Sequence, residues 1–290
     1  MTSPLETIKL SEKIEVSVVI PHFYPTRKKN LEALIEDFRK QSFKDMEIII
    51  VRGVSPQGKA INEGARATQG EVLVVMDDDS RLGHSRVIEN LVEVLKQDSS
   101  IAMAGASIIS PEEANEFQKK AAQQFSRFQM PIVKEITESD LPCHGCVAFR
   151  KDAFLKVGME REEILRGLDP DLRVRFRQAG YRVVLAPSTW AYHPFPESFP
   201  KFIRLFLRNG YGSAYLQAFY PELSYDTAET LESEGFVPKR SFLYRIFRYP
   251  LRLAKAFFTF QWIRFAGYAA YLVGYLRGFF HFNLLHRREL

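Results

Sequence analysis

The chain carries three consecutive carboxylates, Asp77, Asp78 and Asp79, directly after an apolar run that reads VLVVM. An unpaired charge buried in an apolar core is strongly destabilising. The triplet is therefore expected at the end of a strand, with its side chains facing solvent or a cation. Carboxylate clusters of this kind hold Mg²⁺ or Mn²⁺ together with substrate phosphates. A solvated acidic turn is the alternative.

The segments around the triplet predict the sheet that would position it. Apolar runs predict buried strands at 16–20, 47–51, 71–76 and 101–109. Amphipathic segments predict helices at 30–41, 58–68 and 86–96. This alternation indicates an α/β fold with a mostly parallel sheet and helices on both faces. Ligands bind beyond the carboxyl ends of the strands in such sheets, and the triplet follows one of those ends.

Composition excludes several classes of protein. The 290 residues are 46% apolar and 26% charged, which is an ordinary globular balance. Cys143 and Cys146 are the only cysteines, so a secreted disulfide framework is not indicated. One C-x-x-C pair also falls short of the four ligands of a structural zinc site. No apolar leader precedes residue 15, and the N-terminal part is expected to stay in the cytoplasm.

The positive charge of the chain is confined to its C-terminal end. Residues 239–290 hold ten Lys or Arg and one Glu, a net charge of +9, whereas the whole chain carries +5. The first 238 residues are therefore net acidic at −4. A nucleic-acid-binding domain usually presents a basic face of its own, so no nucleic-acid partner is predicted.

Five segments, taken in chain order, resemble the family 2 glycosyltransferases and together cover roughly residues 15–215. They are VSVVIPHFYPTRKKNLEALIEDFRKQSF, GKAINEGARATQGEVLVVMDDDS, CVAFRKDAFLKVG, GLDPDLRVRFRQAGYRVVLAP and AYHPFPESFPKFIRLFLRNGYG. The resemblance implies a GT-A (Rossmann-like) fold and a nucleotide-sugar donor. On the donor side, it implies that Pro21, His22 and Phe23 line the nucleotide pocket. It also places Lys59 and Asn62 near the nucleotide or its phosphates.

The same resemblance implies roles for the acidic residues. Asp77 would approach the ribose, and Asp78 would belong to the nucleotide-sugar site. Asp79 would bind the divalent metal, Mn²⁺ or Mg²⁺, and His193 would contact the metal or the diphosphate. Asp169 would be the catalytic base that deprotonates the acceptor hydroxyl. Direct attack with such a base inverts the anomeric centre.

Two positions depart from the family pattern. The family usually has an acidic run after its second strand that binds the nucleotide base, but Arg52 stands there in this chain. Leu168 replaces the Glu that usually precedes the base. We interpret Asp171 as the cap of a helix that begins near Leu172, which leaves Asp169 for chemistry.

The basic tail contains a stretch that suits a membrane surface. Ala256–Leu276 has 21 residues with one charge, Arg264, near its middle. A central Arg costs at least ~2.5 kcal/mol in a spanning helix. The aromatic content and the flanking basic residues favour an amphipathic helix that lies in the interface. A spanning helix and a homo-oligomer interface are the alternatives.

The sequence thus predicts a GT-A catalytic domain over residues 1–200 and a helical, membrane-associating region over 201–290. The predicted activity is the metal-dependent, inverting transfer of a sugar to a lipid-linked or cell-surface glycan. The predicted location is the cytoplasmic face of the membrane, on an anionic surface. A non-catalytic scaffold of the same fold and a nucleotidyltransferase on a related sheet are the alternatives.

Overall fold

The computed structural model describes residues 4–125, 129–223 and 242–282. The strands are β1 Leu5–Lys9, β2 Val16–His22, β3 Met46–Arg52, β4 Val72–Val75, β5 Arg81–Leu82, β6 Ile101–Ile109, β7 Thr137–Glu138, β8 Val147–Arg150 and β9 Arg182–Tyr192. The helices are α1 Lys28–Arg39, α2 Gln57–Ala67, α3 Val87–Gln97, α4 Glu116–Gln124, α5 Lys151–Lys156, α6 Leu168–Gln178, α7 Phe199–Phe219, α8 Phe242–Phe258 and α9 Trp262–Phe280.

Within the described residues the strands form one mixed sheet in the order β1-β3-β2-β4-β8-β6-β9-β5, with β7 also paired to β9. β2 is parallel to both β3 and β4, and β6 is parallel to β9. The other pairings are antiparallel. Two of them arise because β8 enters between β4 and β6 in the opposite direction. The α/β class is confirmed, although fewer neighbours are parallel than the sequence predicted.

Apolar residues fill both faces of this sheet, as the continuous apolar runs predict for strands covered on both sides. One layer of core packs under α1 and α3, where Leu31, Leu34 and Phe38 of α1 are fully buried. The opposite layer packs against α2 and α6, with Ile61 and Phe176 in its centre. A sheet held rigidly from both faces fixes the positions of the loops at its edge.

The C-terminal helices pack through glycines. A Cβ atom added to Gly210 of α7 would lie 2.0 Å from the carbonyl oxygen of Tyr271 in α9. A Cβ added to Gly274 of α9 would lie 2.0 Å from the carbonyl oxygen of Leu207. Only glycine permits so close an approach of two backbones, so α9 is held directly against α7.

The predicted single helix over Ala256–Leu276 is wrong. α8 ends at Phe258 and α9 begins at Trp262, and Phe260 between them has a positive φ of 55°. Among the described helices, none combines the length and apolarity needed to cross a bilayer. Part of the basic tail, at 239–241 and 283–290, lies outside the described residues. The division at residue 200 stays a prediction, and α7 begins at Phe199.

Candidate active site

The acidic triplet lies where β4 leaves the sheet, as predicted. The amide of Met76 still donates to the Val19 carbonyl of the neighbouring strand at 3.2 Å. The next amide, that of Asp77, donates instead to the carbonyl of His144 at 2.9 Å. This bond turns the chain out of the sheet, so that the three carboxylates follow at its carboxyl edge.

Asp77, Asp79 and His193 converge on one point. His193 Nε2 lies 3.5 Å from Asp77 Oδ2 and 3.5 Å from Asp79 Oδ1. One ligand atom of each residue lies within 4.8 Å of the other two. Ligands held at right angles about 2.1 Å from a cation are about 3 Å apart. Two carboxylate oxygens and an imidazole nitrogen therefore fit Mn²⁺ or Mg²⁺ after a small contraction.

The pKa values in this cluster show how closely its charges are placed. Burial raises the pKa of Asp79, and the neighbouring Asp77 raises it further. Burial alone would lower the pKa of His193, but the carboxylates of Asp79 and Asp77 raise it to about 9. Two close carboxylates thus attract positive charge to the position between them.

Asp78 has a different place from its neighbours. It is buried, and it contacts His22 Nδ1 through Oδ2 and Arg27 Nη1 through Oδ1, each at 2.8 Å. Arg27 also reaches Asp79 Oδ2 at 2.9 Å. The expectation that all three acids face solvent or a bound metal is wrong for Asp78, because the His22 ring and the Arg27 guanidinium bond its carboxylate inside the protein. The contact of Asp78 with the donor stays a prediction. The bonds to His22 and Arg27 disfavour it.

The two donor-side residues of α2 differ in exposure. Lys59 is half exposed and lies 3.9 Å from Glu63, one helical turn away. Asn62 is buried, and its amide bonds to the backbone of Glu160 in both directions, at 2.8 and 2.9 Å. A direct nucleotide contact by Asn62 is disfavoured by these bonds. Gln57, which the sequence analysis missed, donates to Asp77 Oδ1 at 2.7 Å.

The other residues that were predicted to line the nucleotide pocket lie at or next to a cavity beside the triplet. His22, Phe23 and Pro25 line it together with Lys28, Arg52 and Gly53. Pro21 lies at the carboxyl end of β2, one residue before His22. Arg52 occupies the position where the family pattern has an acid, and its guanidinium bonds to the carboxylate of Glu6 on β1 at 2.6 and 2.9 Å. Strand β1 therefore brings a carboxylate to the rim of this cavity.

Asp169, the predicted base, belongs to a second cluster. Its Oδ1 accepts from the amide of His144 at 2.8 Å and lies 3.1 Å from His144 Nδ1. His144 Nε2 lies 2.9 Å from Oε1 of Glu160, whose side chain is fully buried. Burial lowers the pKa of His144, but Asp169 and Glu160 together raise it to about 9. The imidazole thus lies between two carboxyl groups that favour its protonated form.

The interpretation of Asp171 as a helix cap is wrong. Helix α6 begins at Leu168 after Gly167, whose φ is 94°, so Asp171 lies inside the helix. Asp171 is fully buried and pairs with Arg161 at 3.2 Å and Arg175 at 2.8 Å. Pro170 is compatible with the first turn, where a backbone N–H has no helical partner. Asp169 thus sits in the first turn, at the end of α6 that favours a carboxylate.

Comparison with known proteins identifies this arrangement. A family model described as "Glycosyltransferase like family 2" matches residues 13–212. The chain belongs to this family. Glycosyltransferase AglD of Haloferax volcanii is 29% identical over 136 residues, which are 46% of this chain and 21% of AglD. The chain therefore spans about a fifth of that curated relative.

Solved structures confirm the GT-A fold. The mannosyltransferase PcManGT from Pyrobaculum calidifontis, solved with GDP-Man and Mn²⁺, aligns with a TM-score of 0.57 at 12% identity, over 92% of this chain and 88% of that one. GalNAc-T7, solved with UDP, GalNAc and Mn²⁺, aligns with a TM-score of 0.50 at 13% identity, over 73% and 50% of the two chains. At these identities the likeness concerns the fold alone.

Arg166, which the sequence analysis missed, forms a cationic pair with Arg208 of α7 in this family 2 chain. The stem of Arg166 packs on α7 where a Cβ of Gly212 would be, 2.7 Å from its Cγ. Arg208 lies one helical turn before Gly212 and therefore on the same face. Burial and the nearby Arg208 lower the pKa of Arg166 to about 10, and Asp77 opposes this effect. Isolated arginines in a sequence give no sign that a fold will bring them together.

Proposed function

We propose that this chain transfers a sugar from a nucleotide-sugar donor to an acceptor hydroxyl, with inversion and with a divalent metal. The observation that carries the proposal is that the backbone of His144 bonds to the backbone N–H of Asp77 on one side and to the carboxylate of Asp169 on the other. Its carbonyl accepts from Asp77 at 2.9 Å and its amide donates to Asp169 at 2.8 Å. The residues proposed to hold the metal and the proposed base are therefore linked through one residue.

Each side suits one part of the reaction. Asp77, Asp79 and His193 would hold Mn²⁺ or Mg²⁺, which when bound neutralises the charge that develops on the leaving diphosphate. Asp169 accepts the proton of the acceptor hydroxyl. The acceptor oxygen then forms a bond to the anomeric carbon as the bond to the diphosphate oxygen breaks, so the configuration inverts. Arg166 and Arg208 supply fixed positive charge for a phosphate-bearing donor.

A donor screen tests this function. We expect UDP-, GDP- or dTDP-sugars to raise the melting temperature in the presence of Mn²⁺ and to lose that effect with EDTA. The donor that binds should then be consumed by transfer or by slow hydrolysis. A chain that binds no nucleotide-sugar with Mn²⁺ would contradict the proposal and favour a scaffold of the same fold.

An exposed apolar surface on α8 supports the proposal that the chain attaches to a bilayer. Leu243, Phe247, Leu251 and Phe258 are 65–75% exposed. Their spacing places them on one face of the helix. Arg252 and Lys255 lie on the same helix. An exposed apolar stripe with basic neighbours is typical of a helix that lies in the interface of an anionic membrane.

We propose that this stripe holds the enzyme on the cytoplasmic face of the cell membrane, with a lipid-linked or cell-surface glycan as the acceptor. The support is the charge distribution, because the first 238 residues are net acidic and would be repelled by anionic lipid. The intact chain should co-sediment with vesicles of phosphatidylglycerol and phosphatidylcholine, and high salt should release it only in part. If the chain does not bind vesicles and forms a stable dimer, this surface would instead be an oligomer interface.

A further inference from the structure

A buried chain of bonds reaches Asp169 from the opposite side of the site. The Asn62 side chain bonds to both the N–H and the C=O of Glu160. Glu160 Oε1 in turn lies 2.9 Å from His144 Nε2, and His144 Nδ1 lies 3.1 Å from Asp169 Oδ1. The order Asn62, Glu160, His144, Asp169 thus links α2 to the first turn of α6.

This arrangement is costly as a purely structural device. The Glu160 side chain is fully buried, and its second oxygen, Oε2, has no hydrogen-bond partner among the described residues. Replacing a buried ion pair by packed apolar residues is often neutral or stabilising. A carboxylate that is buried here with only one oxygen bonded therefore indicates a role other than stability.

The geometry at Asp169 indicates that role. The ring nitrogen and the backbone N–H of His144 both approach the same oxygen, Asp169 Oδ1. Two contacts from one residue to one oxygen restrict rotation of the carboxylate about its Cβ–Cγ bond. Leu168 is apolar and buried, so the position next to the base in α6 supplies no second carboxylate.

We propose that His144, oriented by Glu160 and Asn62, is a positioning residue that holds the Asp169 carboxylate toward the acceptor hydroxyl. The proposal rests on the proposed function, in which Asp169 is the base. A base displaced by about 1 Å can lose about 100-fold in rate. His144 therefore acts on the rate of transfer and not on the binding of the donor.

Two substitutions at His144 separate its two contacts. His144→Asn keeps an N–H near the place of Nδ1, toward Asp169, whereas His144→Gln keeps one near Nε2, toward Glu160. We expect His144→Gln to lower kcat by about 10- to 100-fold and His144→Asn to lose clearly less. Nucleotide affinity, measured by titration of the nucleoside diphosphate with Mn²⁺, should be unchanged in both. His84→Asn, at a histidine that bonds to the Ser188 carbonyl, is the control and should behave as wild type.

A double-mutant cycle decides between positioning and general structure. In an Asp169→Asn background, His144→Gln should cause no further loss of kcat. Independent effects that multiply would overturn the proposal, as would equal losses in the Asn and Gln variants.

If the His144 variants do not fold, Glu160→Gln keeps shape and should still lower kcat with unchanged nucleotide affinity. Wild-type kcat in that variant would also overturn it. Full activity of Asp169→Asn alone would instead refute the proposed base.

Discussion

The two carboxylate clusters on either side of the site differ in how complete they are. In the first, His193 lies 3.5 Å from both Asp77 and Asp79, which is beyond the range of a good hydrogen bond. In the second, His144 lies 2.9 Å from Glu160 and 3.1 Å from Asp169. The first cluster is open and partly exposed, whereas His144 and Glu160 of the second are buried.

This difference indicates which of the two clusters gains from a bound cation. Close carboxylates repel each other unless a cation lies between them, and the raised pKa of Asp79 reflects burial together with that repulsion. The open cluster therefore gains from a bound metal. In the closed cluster His144 already contacts both carboxyl groups at 3.1 Å or less. Removing the metal should therefore impair the function of the first cluster only. Replacing the carboxylate of Asp169, the proposed base, should impair the function of the second cluster only.

The largest effect is expected at the open cluster. Asp79→Ala removes one of the three residues proposed to hold the metal, so transfer and Mn²⁺-dependent nucleotide binding should be abolished while the melting temperature without ligand stays near wild type. Calorimetric titration of the nucleoside diphosphate with and without Mn²⁺ measures this. Asp152→Ala, on the exposed surface of α5, is the control. Wild-type rates in EDTA would contradict the metal assignment.

A smaller loss is expected at the closed cluster. Asp169→Asn keeps size and hydrogen bonding but accepts a proton poorly, so kcat should fall by roughly 100-fold. Donor affinity should stay close to wild type, because the variant leaves Asp77, Asp79 and His193 intact. Steady-state kinetics with the donor varied at saturating acceptor separates the two quantities. Donor binding lost together with kcat would show that the two clusters are not independent.

The cationic pair of Arg166 with Arg208 of α7 should give a smaller effect still. Arg166→Gln removes a guanidinium that interacts electrostatically with Asp77, while its stem can still pack on Gly212. We expect the donor KM to rise by about 10-fold, because a charge-assisted bond to phosphate contributes about 1.5–3 kcal/mol. Lys201→Gln, in the first turn of the same helix, should leave the donor KM unchanged. An effect on acceptor KM alone would place the pair on the acceptor side.

The sequence predicted the open cluster better than the closed one for a physical reason. A strand that ends in Asp77–Asp79 fixes its own carboxylates at the sheet edge, so local pattern suffices. His144 and Glu160 become neighbours only because β8, α5 and α6 fold back on one another, and nothing in their spacing indicates the contact. Asn62 and Asp78 are polar residues in a functional segment, and only the structure shows that their side chains face inward.

In the C-terminal tail, too, the sequence did not predict which segments pack against each other. Composition identified a basic, aromatic region, but the apolar stretch at 256–276 does not form one helix. Two glycines of this stretch, Gly267 and Gly274, lie against α7. Helix α9 therefore buries part of its apolar surface inside the protein. The apolar side chains of α8 that are about 70% exposed, Phe247 and Leu251, lie before that stretch.

The smallest effect on catalysis is expected from variants of α8, which test whether the tail is separate from both clusters. Phe247→Gln with Leu251→Gln removes two side chains that are about 70% exposed, and Gln is a good helix former. Burying each ring or alkyl group in lipid contributes about 1.5–3 kcal/mol, so partition onto anionic vesicles should fall by about 10-fold or more. Val273→Gln with Leu276→Gln on α9, also exposed, is the matched control and should bind vesicles nearly as wild type. Both double variants should bind nucleotide with Mn²⁺ unchanged, because the side chains that would hold it lie at the sheet edge. Equal loss of vesicle binding in both would extend the lipid-facing surface to α9, and loss in neither would remove α8 from it.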